Sequence, residues 1–433
     1  MKLNYKNTFL VGFAFMTISL FWSMYDFNIP LILKGNFGIG DYYSGYIMAA
    51  DNVVALFLLP LLGTLSDRTH TKIGRRMPFI IFGTIGSVAA MMTIPYSVET
   101  RQLTLFMIML AFVLLLMATY RSPAVALMPD ITPKPLRSKG NAVINLMGAV
   151  GGLIFYGLNI FLAPDAKHPE TANYWPSFIA IAAFMIVGLI VLVLTINEPK
   201  LVKKMRLESA AMGIDPEEAQ ETTVRVKNRL PHEVRVSMGF ILTSIAFWFF
   251  GYNAVSTAFS KYTVYGLGMD PRFASGILIT GSIAAMIAYI PIGILASKVG
   301  RKKTIMAGVV VLALVFATAF LYKSYSPLMY GSFALAGIAW AAINVNSLPM
   351  VLEMAKGADV GRFTGFYYTA SMAAQIVTPI ASGWLLEHVG YWTLFPYGAV
   401  FVALALLTML AVRHGDSKPI PKKSKLEALD AGD

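Results

Sequence analysis

The chain has no cysteine. Disulfides, thiolate catalysis and cysteine-held metal are therefore excluded. Charge is also scarce: Asp, Glu, Lys and Arg make up 13% of the 433 residues, against about 25% in soluble domains. Histidine is rare, and His70, His168, His232, His388 and His414 all fall in predicted loops or at predicted helix ends. A histidine metal site or a buried proton relay has no support, so we expect no metal centre and no organic cofactor. There is no Asn-x-Ser/Thr sequon, no His-Glu-x-x-His, no Gly-x-Ser-x-Gly and no phosphate-binding loop. The first apolar run is too long for a cleaved leader, and no small-residue cleavage site follows it.

Apolar residue is what the chain has instead, at 57% overall with a mean hydropathy of +0.64. About twelve runs have the roughly 20 apolar residues that a helix needs to cross a bilayer. They lie at about 8–33, 42–65, 77–97, 102–127, 138–163, 174–196, 237–265, 272–297, 303–322, 326–351, 362–387 and 391–412. Barrel strands would give short alternating segments, so the expected class is an all-α integral membrane protein. A polar stretch divides the runs six and six. The expected organisation is a first six-helix half over 1–196, a central loop over 197–236 with short amphipathic helices, a second half over 237–416, and a tail over 417–433.

The net charge of +12 reads as topology. Loops on the side of both termini hold 28 Lys and Arg, and the opposite loops hold five. By the positive-inside bias both termini are expected in the cytoplasm, in a multi-pass protein of the cell membrane. Nucleic acid is not an expected partner.

The loop after run two reads Gly63-Thr-Leu65-Ser-Asp67-Arg68, then Gly74-Arg75-Arg76. After run eight the pattern returns as Gly293-Ile-Leu295-Ala-Ser297, then Gly300-Arg301-Lys302-Lys303, offset by 230 residues from the first glycine. After runs four and ten, Asp130 and Arg137 correspond to Glu353 and Arg362 at offsets of 223 and 225. Two matching offsets argue for a six-helix unit duplicated in one orientation. Gly63, Asp67, Arg68, Arg75, Arg76, Asp130, Arg137, Glu353 and Arg362 are the candidate cytoplasmic gate. The glycine permits close helix approach, and Asp67 can accept from an arginine or a helix N-terminus.

These residues resemble the major facilitator superfamily across the whole chain. Leu65 to Ile80, with its Ser-Asp-Arg and Gly-Arg-Arg-Met-Pro, is similar to the sucrose–proton symporters and the related glycoside–pentoside–hexuronide cation symporters. Ser122 to Asp130, Arg137, Asn141 and the Gly337-Ile-Ala-Trp340 stretch with Pro349 fit the same group. The resemblance implies two six-helix halves, alternating access without an enzyme activity, a small-molecule substrate such as a sugar, and function as a monomer. It also implies that the first and fourth helices of each half line the cavity. One departure stands out. The plant symporters carry an acidic proton site midway along helix four, where this chain reads Leu110-Ala-Phe-Val-Leu-Leu-Leu-Met117.

A charge at mid-bilayer costs at least ~2.5–3.5 kcal/mol on insertion scales, so each one is a functional candidate. Run one holds Asp26, run two Asp51, run four Arg121 and run seven Lys261. At 1.5 Å per residue Asp26 and Asp51 lie roughly 10 and 14 Å from the outer ends of their runs. Burial and mutual repulsion favour protonating one of such a pair, which makes Asp26 and Asp51 the candidate coupling site for H⁺ or Na⁺. The same estimate sets Arg121 much nearer the inner end, so an Asp26–Arg121 bridge is not expected. Lys261, near its helix end, is expected to snorkel. Sugars are held by amides, carboxylates and arginine against an aromatic face. The candidate substrate residues are Trp22, Tyr25, Asp26, Asn28, Tyr120, Arg121, Asn145, Tyr252, Asn253, Trp340 and Asn344. A proton-coupled exporter and a carrier of lysolipid or another small solute remain alternatives. Run five, Gly148-Ala-Val-Gly151-Gly152, lacks the Gly-Pro pair common in exporters.

Overall fold

A computed structural model of the chain describes residues 3–133, 136–165, 168, 171–210, 231–354 and 360–416. The acidic run 215–218 of the predicted central loop and the tail 417–433 lie outside them. The described elements are helical. They run α1 Tyr5–Gly35, α2 Asp41–Arg68, α3 Met77–Glu99, α4 Leu103–Ile131, α5 Arg137–Leu162, α6 Trp175–Thr195 and α7 Glu198–Ala210. After the central segment come α8 His232–Lys261, α9 Pro271–Val299, α10 Arg301–Ala319, α11 Leu328–Glu353, α12 Val360–His388 and α13 Leu394–Ala411. A π-helical turn, Tyr262–Gly266, extends α8, and a 3-10 turn, Tyr391–Thr393, leads into α13. Eleven of these segments are long and apolar enough to cross a membrane. The predicted eleventh span, α12, is long enough at 29 residues but carries Tyr367, Tyr368, Ser371, Gln375 and Thr378. The fold is that of an all-α multi-pass membrane protein.

The chain divides into two compact units. The first comprises Met1–Ile39, Ala50–Pro216 and Asp270–Ser275, and the second Gly40–Ala49, Glu217–Met269 and Gly276–Asp433. In the first unit α1 packs along α5 and α6, and α3 along α4 and α6. In the second, α8 packs along α12 and α13, and α10 along α11 and α13. The pairing scheme repeats helix for helix, which is the structural form of the repeat seen in the loops. α2 gives its first nine residues to the second unit and the rest to the first.

Small residues set the closest approaches, since apolar burial drives little association between helices in lipid. A Cβ on Gly151 of α5 would run into the Met16 carbonyl of α1, and one on Gly337 of α11 into the Gly281 carbonyl of α9. Larger rings fill the rest: Tyr25, Phe21, Phe106 and Phe155 in the first unit and Trp248, Phe259 and Phe316 in the second are fully buried.

Candidate functional site

In the first unit α1, α2 and α4 bring five charged or aromatic groups together. The Arg121 guanidinium stands over the Trp22 ring, 5.9 Å from its centroid, and interacts electrostatically with Asp51. Asp51 in turn interacts with Asp26, and both act on Tyr25. The Trp22 and Tyr25 rings meet edge to face at 5.4 Å. Arg121 reaches Trp22 and Asp51, and no Asp26–Arg121 ion pair occurs among the described residues. Side chains lean toward the N-terminus of their own helix. α4 and α1 run in opposite directions, so Arg121 leans away from the end bearing the basic loops while Trp22 leans toward it, and the gap between their Cα levels closes. Asp51 also accepts a hydrogen bond from Asn52 Nδ2 at 2.8 Å.

Two buried polar atoms in this group, Trp22 Nε1 and Tyr25 Oη, have no hydrogen-bond partner among the described residues. An unmet buried donor is costly, and such atoms mark places where a ligand or water supplies the missing partner.

Three other candidates face elsewhere. Asn28 is fully buried and donates to Ser177 Oγ of α6 at 3.3 Å. Tyr120 is buried against α1, where its hydroxyl donates to the Ala14 carbonyl at 2.8 Å and pairs with Thr17 Oγ1 at 2.5 Å. These two act between helices. Asn145, half-buried on α5, already holds a partner.

In the second unit Tyr252 of α8 and Trp340 of α11 form a flat stack, with ring centroids 3.6 Å apart and planes 6° from parallel. Phe249 meets Trp340 edge on at 5.4 Å. Beside the stack, Asn253 Nδ2 is buried without a partner. Asn344 is half-buried one helical turn beyond Trp340. Lys261 does not snorkel. Its side chain is 5% exposed, and Nζ lies 2.9 Å from Asp41 Oδ1. Asp41, just outside the apolar window of run two, gave no intramembrane signal in the sequence.

The residues expected for a gate in the first unit form a network at the end bearing the basic loops. The Arg76 guanidinium, 5% exposed, bonds Asp67, Ser66 and Asp130 Oδ2, the last at 2.8 Å. It also reaches the Gly63 carbonyl at 3.4 Å. Arg75 Nη2 lies 2.8 Å from Asp130 Oδ1, so Asp130 is held between two arginines. Arg137 donates to the Thr132 carbonyl at 3.2 Å, and Arg68 faces solvent. In the second unit Arg301 Nη1 pairs with Glu353 Oε2 at 2.7 Å. Arg362 stands over its own helix neighbour Phe366, 5.4 Å from the ring centroid, so it joins no carboxylate in the observed contacts.

Sequence reasoning missed the carboxylates that cap the next helices. Glu198, the first residue of α7, is buried and accepts from the backbone N–H groups of Arg75, Arg76 and Met77 at 2.9 to 3.1 Å. It satisfies two of the open donors at the N-terminus of α3, those of Arg76 and Met77, and the N–H of Arg75 just before them. Gly74 precedes it with φ +119°, a conformation that favours glycine, and a Cβ there would strike the Glu198 carboxylate. The second unit repeats the device: Asp416 accepts from Lys302 N at 2.7 Å, beside Gly300 at φ +99°. Each carboxylate follows the last spanning helix of its half.

Comparison with known proteins agrees with this architecture. The family model of the Major Facilitator Superfamily matches residues 11–288 and again 241–431. A sucrose transport protein of Arabidopsis thaliana is 29% identical over 136 residues, which is 27% of this chain and 23% of that protein. The alpha-ketoglutarate permease of Escherichia coli is 32% identical over 148 residues, 32% of each chain. The chain thus aligns with less than a third of the length of these two relatives. An uncharacterized MFS-type transporter of Methanocaldococcus jannaschii is 23% identical over 415 residues, 94% of this chain and 95% of its own. Among solved structures, a nucleoside transporter superposes with a TM-score of 0.66 at 16% identity, covering 93% of this chain and 98% of that one. A peptide transporter superposes at 0.67 and 13% identity, covering 95% of each. With its repeated helix pairing, its duplicated basic loops and a family model matched in both halves, the chain belongs to the Major Facilitator Superfamily, a family of transporters and not of enzymes.

Proposed function

We propose that the protein is a cation-coupled symporter of a sugar or glycoside, working by alternating access. The observation that carries this reading is the group Asp26, Asp51, Arg121 and Trp22 in the first unit. Two carboxylates and one guanidinium sum to one negative charge, which a single proton or sodium ion neutralises. A low-dielectric site strongly favours that neutral state. The unpartnered donors Trp22 Nε1 and Tyr25 Oη beside these charges supply hydrogen bonds to a hydroxyl-rich solute. Within the second unit, the Tyr252–Trp340 stack is an aromatic face of the kind that packs on a sugar ring, and beside it the Asn253 amide has no hydrogen-bond partner among the described residues. The local similarity to a sucrose transport protein points the same way.

Asp26 and Asp51 are the coupling residues in this account, and no organic cofactor takes part. The Arg76–Asp67–Asp130–Arg75 network and the Arg301–Glu353 pair hold the cytoplasmic gate. The Lys and Arg bias supports cytoplasmic termini and a place in the cell membrane, and in this reading the protein works as a monomer.

A second reading has one specific observation behind it. Arg121 is a fork-shaped donor suited to a carboxylate, and the alpha-ketoglutarate permease is among the relatives. Uptake into proteoliposomes separates the two. Labelled mono- and disaccharides are offered beside small dicarboxylates, under an imposed inward proton or sodium gradient. Gradient-driven uptake of a saccharide supports sugar symport. Uptake of a dicarboxylate with no saccharide transported overturns it.

A further inference from the structure

Three consecutive residues of α4 face different neighbours within the first unit. Arg121 stands over Trp22 of α1 and acts on Asp51 of α2. Tyr120 turns to α1, where its hydroxyl donates to the Ala14 carbonyl at 2.8 Å and pairs with Thr17 Oγ1 at 2.5 Å. Ser122 turns to α2, where its hydroxyl donates to the Leu59 carbonyl at 2.9 Å. Successive residues of an α-helix are rotated by about 100°, so one hydrogen-bonded tether lies on either side of Arg121. The Ser122 bond is the unusual one. A hydroxyl within a helix commonly turns back to its own carbonyl four residues earlier, as Thr119 does to Leu115 at 3.0 Å. Ser122 reaches across to the next helix instead.

This turn of α4 has a weakened backbone. Pro123 has no N–H, so the helix lacks the hydrogen bond that would close on the Thr119 carbonyl, and Pro129 removes another further on. A proline is also where a helix most readily bends. Arg121 has little margin for such a bend. Its guanidinium is 5.9 Å from the Trp22 centroid, at the outer limit of about 6 Å for a cation held over a ring. A small outward pivot of the turn ends the contact. The neighbouring glycines bring the flanking helices in close. A Cβ on Gly83 of α3 would stand 2.8 Å from the Tyr120 backbone N, so α3 backs directly on α4 there. A Cβ on Gly63 of α2 would stand 3.2 Å from Ser122 Oγ, so the glycine leaves room for α2 to approach that hydroxyl.

We infer that Tyr120 and Ser122 are positioning residues for Arg121. Their two bonds fix the proline-weakened turn of α4 to α1 and α2, and so keep the guanidinium over Trp22 and beside Asp51. They act through Arg121 and do not hold the solute themselves. The inference rests on the reading of Asp26, Asp51, Arg121 and Trp22 as the functional group of the first unit, but its test needs no solute.

The chain has six tryptophans, so protein labelled with fluorotryptophan gives one fluorine NMR resonance for each ring. Trp22→Phe identifies the resonance of Trp22, and Arg121→Gln gives its position without the cation. Tyr120→Phe and Ser122→Ala are each expected to move the Trp22 resonance most of the way to that position, while the other tryptophans stay in place. Ser122→Thr keeps the hydroxyl and is expected to restore the wild-type position. In the Arg121→Gln background neither substitution moves the resonance further. A folded Tyr120→Phe or Ser122→Ala protein whose Trp22 resonance keeps its wild-type position overturns the inference, and so does an equal movement with and without Arg121. Should Tyr120→Phe fail to fold, Ser122→Ala and Ser122→Thr carry the test alone. A protein that shows these shifts and transports no sugar keeps the positioning role and loses the sugar reading.

Discussion

Tyr252 lies flat on Trp340, with ring centroids 3.6 Å apart and planes 6° from parallel. The two residues come from α8 and α11, 88 positions apart in sequence, and form one aromatic surface. If that surface packs on the transported ring, Trp340→Ala raises KM about tenfold, the loss of an aromatic contact together with its buried area. Trp340→Phe keeps most of the surface and changes KM by about threefold or less on the same scale. Saturation curves for uptake decide this; an unchanged KM in Trp340→Ala removes the stack from the binding site.

Arg76 is the most deeply buried charged group of the ionic network at the basic end of the first unit, and it serves two carboxylates at once. Arg76→Ala leaves Asp130 with Arg75 alone and is expected to destabilise the protein by about 3–5 kcal/mol, the usual result of removing one partner of a buried pair. Lysine cannot reproduce the fork, so Arg76→Lys recovers only part of the loss. In the second unit the Arg301–Glu353 pair is more exposed, and Arg301→Ala costs about 1 kcal/mol or less. Thermal unfolding of the three purified variants orders them.

How much of this was legible beforehand differs by feature. Helix positions were readable to within a few residues because hydropathy is a collective property of about 20 positions. The gate loops were readable because the repeat supplied a second copy. Helix faces were not. Asn28 and Tyr120 sit on helices apolar all around, and nothing in such a run tells a cavity-facing position from an interhelical one. Asn28 turned toward Ser177 and Tyr120 toward Ala14. Lys261 was misread for another reason. A lysine near a helix end usually snorkels, but its partner Asp41 lies outside the apolar window of its own run, so the pair was invisible in one dimension. Glu198 looked like linker charge because its partners are backbone N–H donors, which leave no mark in a sequence.

Glu198 offers a sharp test of the capping arrangement. Three backbone donors at the start of α3 converge on its carboxylate. Glu198→Ala is expected to cost about 1–2 kcal/mol, the range for loss of an N-terminal cap. Glu198→Gln, which keeps one acceptor oxygen, falls between. Hydrogen exchange at Arg76 and Met77 should accelerate in the alanine variant while the middle of α3 stays protected.

The close approach of α1 and α5 predicts a contrast among glycines. Gly151→Ala drives a methyl group into the Met16 carbonyl and is expected to cost about 1–3 kcal/mol. Gly331, on α11, has open space around its Cβ position, so Gly331→Ala should be neutral or stabilising by up to about 1 kcal/mol. Thermal melts of the two variants side by side distinguish a packing role from a general intolerance of substitution.

The coupling role given to the carboxylate pair is tested most directly by Asp26→Asn, assayed for accumulation and for exchange in the same proteoliposomes. With the wild-type protein, an inward cation gradient drives the sugar above its equilibrium ratio. In Asp26→Asn the account predicts accumulation falling to the equilibrium ratio while exchange of labelled for unlabelled sugar continues, because the site still binds and reorients without its cation. Gradient-driven accumulation by Asp26→Asn at the wild-type level would contradict it.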